Sequence, residues 1–254
     1  MATVIAINNQ KGGVAKTTTC LSLGACLAEL GYTVLLIDLD PQAHLTLSLG
    51  IKPEKLHRTI SDALLGRASL LSVSRESGIF DLDIVPSNQQ LALIDKLLYR
   101  QKAYEFYLKR RLETLEEDFY EFILIDCSPA FNTLTLNALT AADQLIIPVQ
   151  CEYYAAQSLK WITRLAKLVQ AKTNPGLTYH LLVTMYDQRN KICQLIFDQL
   201  QQEVGQLLYE TIIEVDTKLK ESPAFAQPIT QYAPNTRGAE QYRALARELV
   251  ANGR

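Results

Sequence analysis

The sequence predicts an α/β fold, a doubly wound, mostly parallel twisted sheet with helices on both faces, in one domain spanning residues 1–254. Three observations predict it. Apolar runs of strand length recur along the chain and are continuous rather than alternating, as strands buried on both faces of a parallel sheet are. Stretches with apolar residues at helical spacing separate them. One run opens into a Gly-rich turn and two end in carboxylates, at the strand ends where open α/β sheets bind ligands.

The first run, Val4 to Ile7, leads into Asn9-Gln10-Lys11-Gly12-Gly13-Val14-Ala15-Lys16-Thr17-Thr18. Leu21, Leu23, Ala25, Leu27, Ala28 and Leu30 then repeat at roughly helical spacing. Strand, Gly-rich turn and helix form the layout of a phosphate-binding loop. In that layout backbone N–H groups and a helix N-terminus surround an anion, Lys16 reaches the outer phosphates, and the Thr17 hydroxyl serves Mg²⁺. The strict spacing G-x-x-x-x-G-K-[ST] is not met, because Gln10 and Ala15 occupy its two glycine positions. A Cβ at position 15 is tolerable at negative φ and costs about 1–2 kcal/mol at positive φ.

A second run, Thr33 to Ile37, ends at Asp38-Leu39-Asp40-Pro41-Gln42, and a helix near Thr59 to Leu65 has Thr59 and Ser61 as candidate caps. Leu82 to Val85 is a short strand before Pro86-Ser87-Asn88, and Gln89 to Asp118 reads as one or two amphipathic helices. Glu121 to Asp126 is a strong strand whose terminal carboxylate, in a chain with a phosphate loop, suits a Mg²⁺ ligand. A small-residue helix around Ala138 to Ala142 precedes the strand Leu145 to Val149. Residues 157–172 form an amphipathic helix with Lys160, Arg164 and Lys167 on one face. Tyr179 to Val183 is a strand, 192–208 a helix, Tyr209 to Ile213 a last short strand, and a helix runs from Gly238 to about Val250.

The loop Lys11-Gly12-Gly13-Val14-Ala15-Lys16-Thr17-Thr18 closely resembles the deviant Walker A box of the ParA/MinD family of P-loop ATPases, with Ala15 departing from the family's Gly. Asp38-Leu39-Asp40-Pro41-Gln42 resembles the family's switch I, Ser128-Pro129-Ala130 its switch II, and Thr184-Met185-Tyr186-Asp187-Gln188-Arg189 its adenine-bordering loop. Pro148-Val149-Gln150-Cys151-Glu152-Tyr153-Tyr154 is close to a segment of the ParA branch near the nucleotide and dimer interface. The resemblance covers nearly the whole chain and is to the small ParA type without an N-terminal helix-turn-helix region.

The resemblance implies ATP and Mg²⁺ as cofactors. It implies that Lys11 crosses to a partner subunit's nucleotide and that residues 11–18, Pro148, Met185, Asp187 and Arg189 surround the nucleotide. Asp38 then belongs to the metal shell with Thr17 and Asp126, and Asp40 to the attacking water. Lys218 stands where the family has a DNA-contacting arginine, with Lys220 beside it and Lys160 and Arg164 as a secondary patch. The implied function is an ATP-dependent homodimer that binds non-specific DNA and is released when an adaptor of ParB or McdB type stimulates hydrolysis. Its cargo would be a plasmid, a chromosome origin or a protein assembly such as a carboxysome.

Composition bounds these readings. Half-apolar content and 254 residues suit one α/β core, and a net charge of −2 gives no global attraction to nucleic acid or membranes. The five cysteines are scattered and mostly apolar in context, which suits reduced core thiols in a cytoplasmic protein that joins the nucleoid in its ATP state. No apolar run approaches membrane-span length, and the last helix carries mainly Ala and Leu on its apolar side, against a MinD-type membrane anchor. An electron-transfer ATPase would need paired cluster cysteines, for which only Cys127 and Cys151 lie near the site. A small-molecule kinase or synthetase would use the same loop on an added acceptor.

Overall fold

The apolar runs become the interior of one eight-stranded sheet in the computed structural model, which describes residues 2–115, 119–152 and 155–252, without the side chains of 155–158. The strands are β1 (Thr3–Ile7), β2 (Val34–Leu39), β3 (Arg75–Ile79), β4 (Leu82–Val85), β5 (Phe122–Cys127), β6 (Gln144–Gln150), β7 (Thr178–Tyr186) and β8 (Ile213–Glu214), in spatial order β3-β4-β2-β5-β1-β6-β7-β8. Every pair is parallel except β3 with β4. Registers such as Ile7 with Asp126 and Asp38 with Asp126 bring the ends of β1, β2 and β5 to one level. The chain reverses direction of spread on either side of β1, which opens the crevice where such sheets bind ligands.

The helices are α1 (Lys16–Glu29), α2 (His44–Ser48), α3 (Ile60–Leu64), α4 (Leu70–Val73), α5 (Leu91–Leu98), α6 (Tyr107–Leu112), α7 (Thr133–Ala141), α8 (Ala155–Lys172), α9 (Lys191–Val204), α10 (Thr217–Glu221), α11 (Ile229–Tyr232) and α12 (Arg237–Asn252). One face of the sheet buries Val4, Leu35, Ile37, Ile123 and Ile147 against the layer that contains Leu98, Leu134 and Ile162, and the other buries Ile5, Ile7, Leu36 and Leu124 against α1 and α12. Fully burying each such side chain contributes roughly 1.5–3 kcal/mol before conformational entropy is subtracted. Gly24 sets how closely α1 lies on the sheet, because a Cβ there would stand 2.7 Å from Leu36 Cδ2. The last helix is a core element, as its Ala and Leu content implies. Tyr242, Leu245 and Ala246 are fully buried, and the Tyr242 hydroxyl lies 3.0 Å from Thr19 Oγ1.

Thr59 caps α3 in a reciprocal box with Asp62, whereas Ser61 contributes its backbone N–H to that cap and is not itself the capping residue. The amphipathic stretch after Gln89 resolves into α5 and α6, and the end assigned to it at Asp118 lies outside the described residues. Two strands depart from the sequence reading. The exposed β3 was missed because Arg-Glu-Ser-Gly-Ile is polar and contains glycine, so pairing with β4 decides its conformation. The last strand shrinks to Ile213–Glu214, with Leu208 reaching β7 only through an isolated bridge.

Candidate functional site

Strand β1 delivers the Gly-rich loop to the crevice, and α1 starts directly from it at Lys16. Ala15, the residue before α1, has φ 66°, so the strained alternative holds and its Cβ costs about 1–2 kcal/mol. Ala15 supplies no side-chain cap, and the first turn of α1 has no acidic residue. The N–H groups at this 14-residue helix start are therefore left for an anion, which the helix dipole also favours.

In front of them lies a cavity of about 940 Å³ lined by Gly12, Gly13, Ala15, Lys16, Thr17, Thr18, Asp40, Ser128, Pro129 and Met185, among others. A smaller one of about 260 Å³ shares Ala15, Thr18, Met185 and Pro223 with it and extends toward Asp216, Lys220 and Tyr242. Together they have the size and mixed lining of a cofactor site.

Lys16 is almost fully buried, and its ammonium donates to the Lys11 carbonyl at 2.9 Å. Burial holds its pKa below the ordinary value, while Asp126, Cys127 and Asp40 pull it back up. Thr17 Oγ1 donates to Asp126 Oδ2 at 2.7 Å, and Asp126 Oδ1 is buried with no hydrogen-bond partner among the described residues. Burial drives the Asp126 pKa well up, reinforced by Asp38 and opposed by Thr17 and Lys16. An orphaned carboxylate oxygen beside a threonine hydroxyl is what a hydrated Mg²⁺ would satisfy, and a buried ammonium beside the uncapped start of α1 suits a phosphate chain. The residues present fit both groups.

Asp38 occupies a different niche. Its Oδ2 accepts from Thr46 N at 2.9 Å and Thr46 Oγ1 at 2.6 Å, and its Oδ1 accepts from Asp40 N at 3.1 Å. Burial raises its pKa to about 6 against these bonds. Thr46 Oγ1 in turn accepts from Ser87 N at 3.0 Å, so the Pro-Ser-Asn turn after β4 is tied to switch I through Asp38. Asp38 thus shapes the loop, and Asp40 is the carboxylate of the pair that faces the cavity.

Lys11 does not line the cavity. Its ammonium turns outward to Gln150 Oε1 at 3.3 Å and forms an ion pair with Glu152. Asn9, which the sequence reading left without a role, fixes this corner: its Oδ1 accepts from Lys11 N at 3.0 Å, and its Nδ2 donates to the Pro148 carbonyl at 2.7 Å.

Comparison with known proteins places the chain in a family. Residues 2–179 match the family model described as an AAA domain. The chain is 41% identical over 254 residues, and 100% of each chain, to the sporulation initiation inhibitor protein Soj of Bacillus subtilis. It is 39% identical to the chromosome-partitioning ATPase Soj of Treponema pallidum, across 99% of this chain and 98% of that one. The chain belongs to the Soj/ParA family of AAA-domain ATPases. Among solved structures, a cobyrinic acid a,c-diamide synthase from Mycobacterium smegmatis with bound ATP analogue and magnesium superposes with TM-score 0.85 at 35% identity, covering 100% of this chain and 98% of that one. ATP with Mg²⁺ is the cofactor pair of such ATPases.

Other candidate residues lie further out. Pro148 is buried within β6, and its carbonyl accepts from Asn9 Nδ2 ahead of the loop. Asp187 and Arg189 pair with each other at 3.0 Å on an exposed loop and line neither cavity, unlike Met185 of the same segment. Val14 is buried and directs its carbonyl away, to Thr184 Oγ1. Lys218 donates to Glu221 at 2.7 Å and lies 5.7 Å from the Tyr232 ring centroid, whereas Lys220 borders the smaller cavity. Lys160 and Arg164 lie together with Trp161 and Lys167 on α8. The aromatic pair Tyr153-Tyr154 lies outside the described residues. Cys127 and Cys151 are buried free thiols, and no metal-binding cluster of His, Cys, Asp or Glu occurs among the described residues.

Proposed function

We propose that this ATPase is a dimerising switch that holds non-specific DNA as the ATP-bound homodimer and lets go when a cargo-bound adaptor speeds hydrolysis. The observation that carries this reading is the opposite placement of two lysines in one loop. Lys16 serves its own cavity, while Lys11 is turned away from it, held by a partly exposed ion pair with Glu152 and a 3.3 Å hydrogen bond to Gln150. Such a pair contributes at most about 1 kcal/mol, so its ammonium is free to move to phosphates presented by a second copy.

In this reading the loop N–H groups and Lys16 bind the phosphate chain, Thr17 and Asp126 hold Mg²⁺, and Asp40 orients the attacking water. Bound Mg²⁺ neutralises charge on the β- and γ-phosphates. Asp38 keeps Asp40 in place through its backbone N–H. Lys218 and Lys220 contact DNA phosphates, and pairing two subunits doubles a patch too weak alone in a chain of net charge −2. The name of the Treponema pallidum relative, a chromosome-partitioning ATPase, supports a chromosome as cargo, and the reading includes nucleoid association in the ATP state. Among the described residues no helix is long and apolar enough to cross a membrane.

Sedimentation of the chain with ATP tests the reading. The wild type is expected to become a dimer, and Lys11→Ala to stay monomeric while keeping its ATP affinity within about threefold. A stable ATP dimer of Lys11→Ala would refute the cross-subunit role. The Mycobacterium smegmatis relative favours a second reading, a small-molecule synthetase, which requires ATP turnover that depends on an added acceptor and not on DNA.

A further inference from the structure

Ser128 stands one residue past the end of β5, and its hydroxyl oxygen is buried with no hydrogen-bond partner among the described residues. The other buried side-chain atoms left without a partner belong to Asn8, Ser61, Ser87, Arg111 and Asp126, none of which lines the nucleotide cavity, whereas Ser128 does. Asp126 Oδ1 suits the water shell of Mg²⁺, but no described residue meets the serine hydroxyl, although Ser128 is only 5% exposed. An unmet buried hydroxyl is costly, and a polar group entering the cavity can supply its partner.

The fold says which part of a nucleotide that group is. Strand β5 sends Ile123, Ile125 and Cys127 into one apolar layer and Leu124 into the other, on the side of α1, where Asp126 bonds to Thr17. Ser128 follows Asp126 by two residues, the spacing of side chains on one face of an extended chain. Asp38 pairs with Asp126 and Leu39 with Cys127, so the next residues, Asp40 and Ser128, enter the cavity from neighbouring strand ends. The larger and smaller cavities share Ala15, Thr18, Met185 and Pro223, but Lys16, Thr17, Asp40 and Ser128 line only the larger. The groups suited to phosphate and metal therefore lie on the Ser128 side. A nucleotide whose phosphates lie on the start of α1 has its last phosphate toward Asp40 and Ser128 and its base toward the smaller cavity.

We propose that Ser128 is a specificity-determining residue whose hydroxyl donates a hydrogen bond to the terminal phosphate of ATP, so that the cavity prefers ATP to ADP. ADP is one phosphate shorter and leaves the hydroxyl unmet. Serine suits the task because its O–H turns among three staggered positions to meet an incoming oxygen, and a bond to a charged oxygen is stronger than one to a neutral acceptor. The proposal rests on ATP as the cofactor and not on dimerisation, and the test keeps the two apart.

Calorimetric titration of the full chain with a non-hydrolysable ATP analogue and with ADP, each with Mg²⁺, reads the preference directly. Repeating it at two protein concentrations separates the preference from self-association. Ser128→Ala is expected to bind the analogue about tenfold more weakly and to hold ADP within about twofold of the wild type. Ser128→Thr, which keeps a hydroxyl, should keep the preference for the analogue. Without nucleotide, Ser128→Ala should melt no lower than the wild type, because it loses a hydroxyl that nothing in the chain satisfies. An equal loss for both nucleotides, with a lowered melting temperature, would make Ser128 a structural residue and overturn the proposal. An unchanged preference with slower phosphate release would assign the hydroxyl to the attacking water instead and overturn it too. So would a preference that appears only at the higher protein concentration, since it would then belong to self-association.

Discussion

Lys16 and Lys11 stand five residues apart in one loop, and the protein holds them in opposite ways. Lys16 lies in a wall made of strand ends, where the buried Asp126 is bonded to the half-buried Thr17 at the start of α1. Lys11 lies on the rim, where its partners are the half-buried Gln150 at the end of β6 and the exposed Glu152 just beyond it. A buried group committed inside its own chain acts within one subunit, while a rim group held by a weak pair is available to another. In the proposed switch, the contrast separates chemistry within a subunit from control between subunits.

The largest effect should come from the buried side. Lys16→Ala removes the cation facing the phosphates, and calorimetry should find ATP affinity reduced by about a hundredfold or more. Micromolar affinity in that variant would break the contrast at once. Asp40→Ala should slow hydrolysis by about a hundredfold while leaving the ATP dimer on DNA, as read by phosphate release and by retention on duplex. Undiminished turnover would move the water-orienting role elsewhere.

A pH series sharpens the same contrast. Burial raises the Asp38 pKa from 3.8 to about 6, and Asp126 moves in the same direction. The folded chain therefore binds these protons more tightly than the unfolded chain. Their contribution to stability is greatest at low pH and declines as pH rises through that window. Without Mg²⁺, the urea midpoint of the wild type relative to Asp38→Asn should fall between pH 3.8 and about 6. A relative rise would mean that the carboxylates are held ionised by groups other than those identified. The smallest effect is expected from Ala15→Gly, which relieves a left-handed Cβ and should stabilise the protein by up to about 1 kcal/mol, read as a melting-temperature rise of about 2–4 °C.

The buried wall was also the legible one. Continuous apolar runs announced β1, β2, β5 and β6, and carboxylates at run ends announced Asp40 and Asp126, because strand burial and strand-end polarity are local properties of the chain. The rim was not legible. Glu152 meets Lys11 across 141 positions, and Asn9 reaches Pro148 across 139, so only the folded register brings them together. The metal-shell role of Asp38 came from the resemblance, and its neighbours in sequence show nothing of Thr46, whose two bonds engage one of its oxygens. Asp187 and Arg189 share a loop with Met185, yet after that residue's positive φ the chain leads them outward to pair with each other. Strand β3 stayed hidden because its pairing, and not its composition, makes it a strand.

The measurement that tests the central claim most directly is binding to random-sequence duplex DNA with ATP, with ADP and without nucleotide, each at two salt concentrations. The account predicts tight binding with ATP alone, indifferent to sequence and falling steeply as salt rises. Equal binding in all three nucleotide states, or none in any of them, would contradict it.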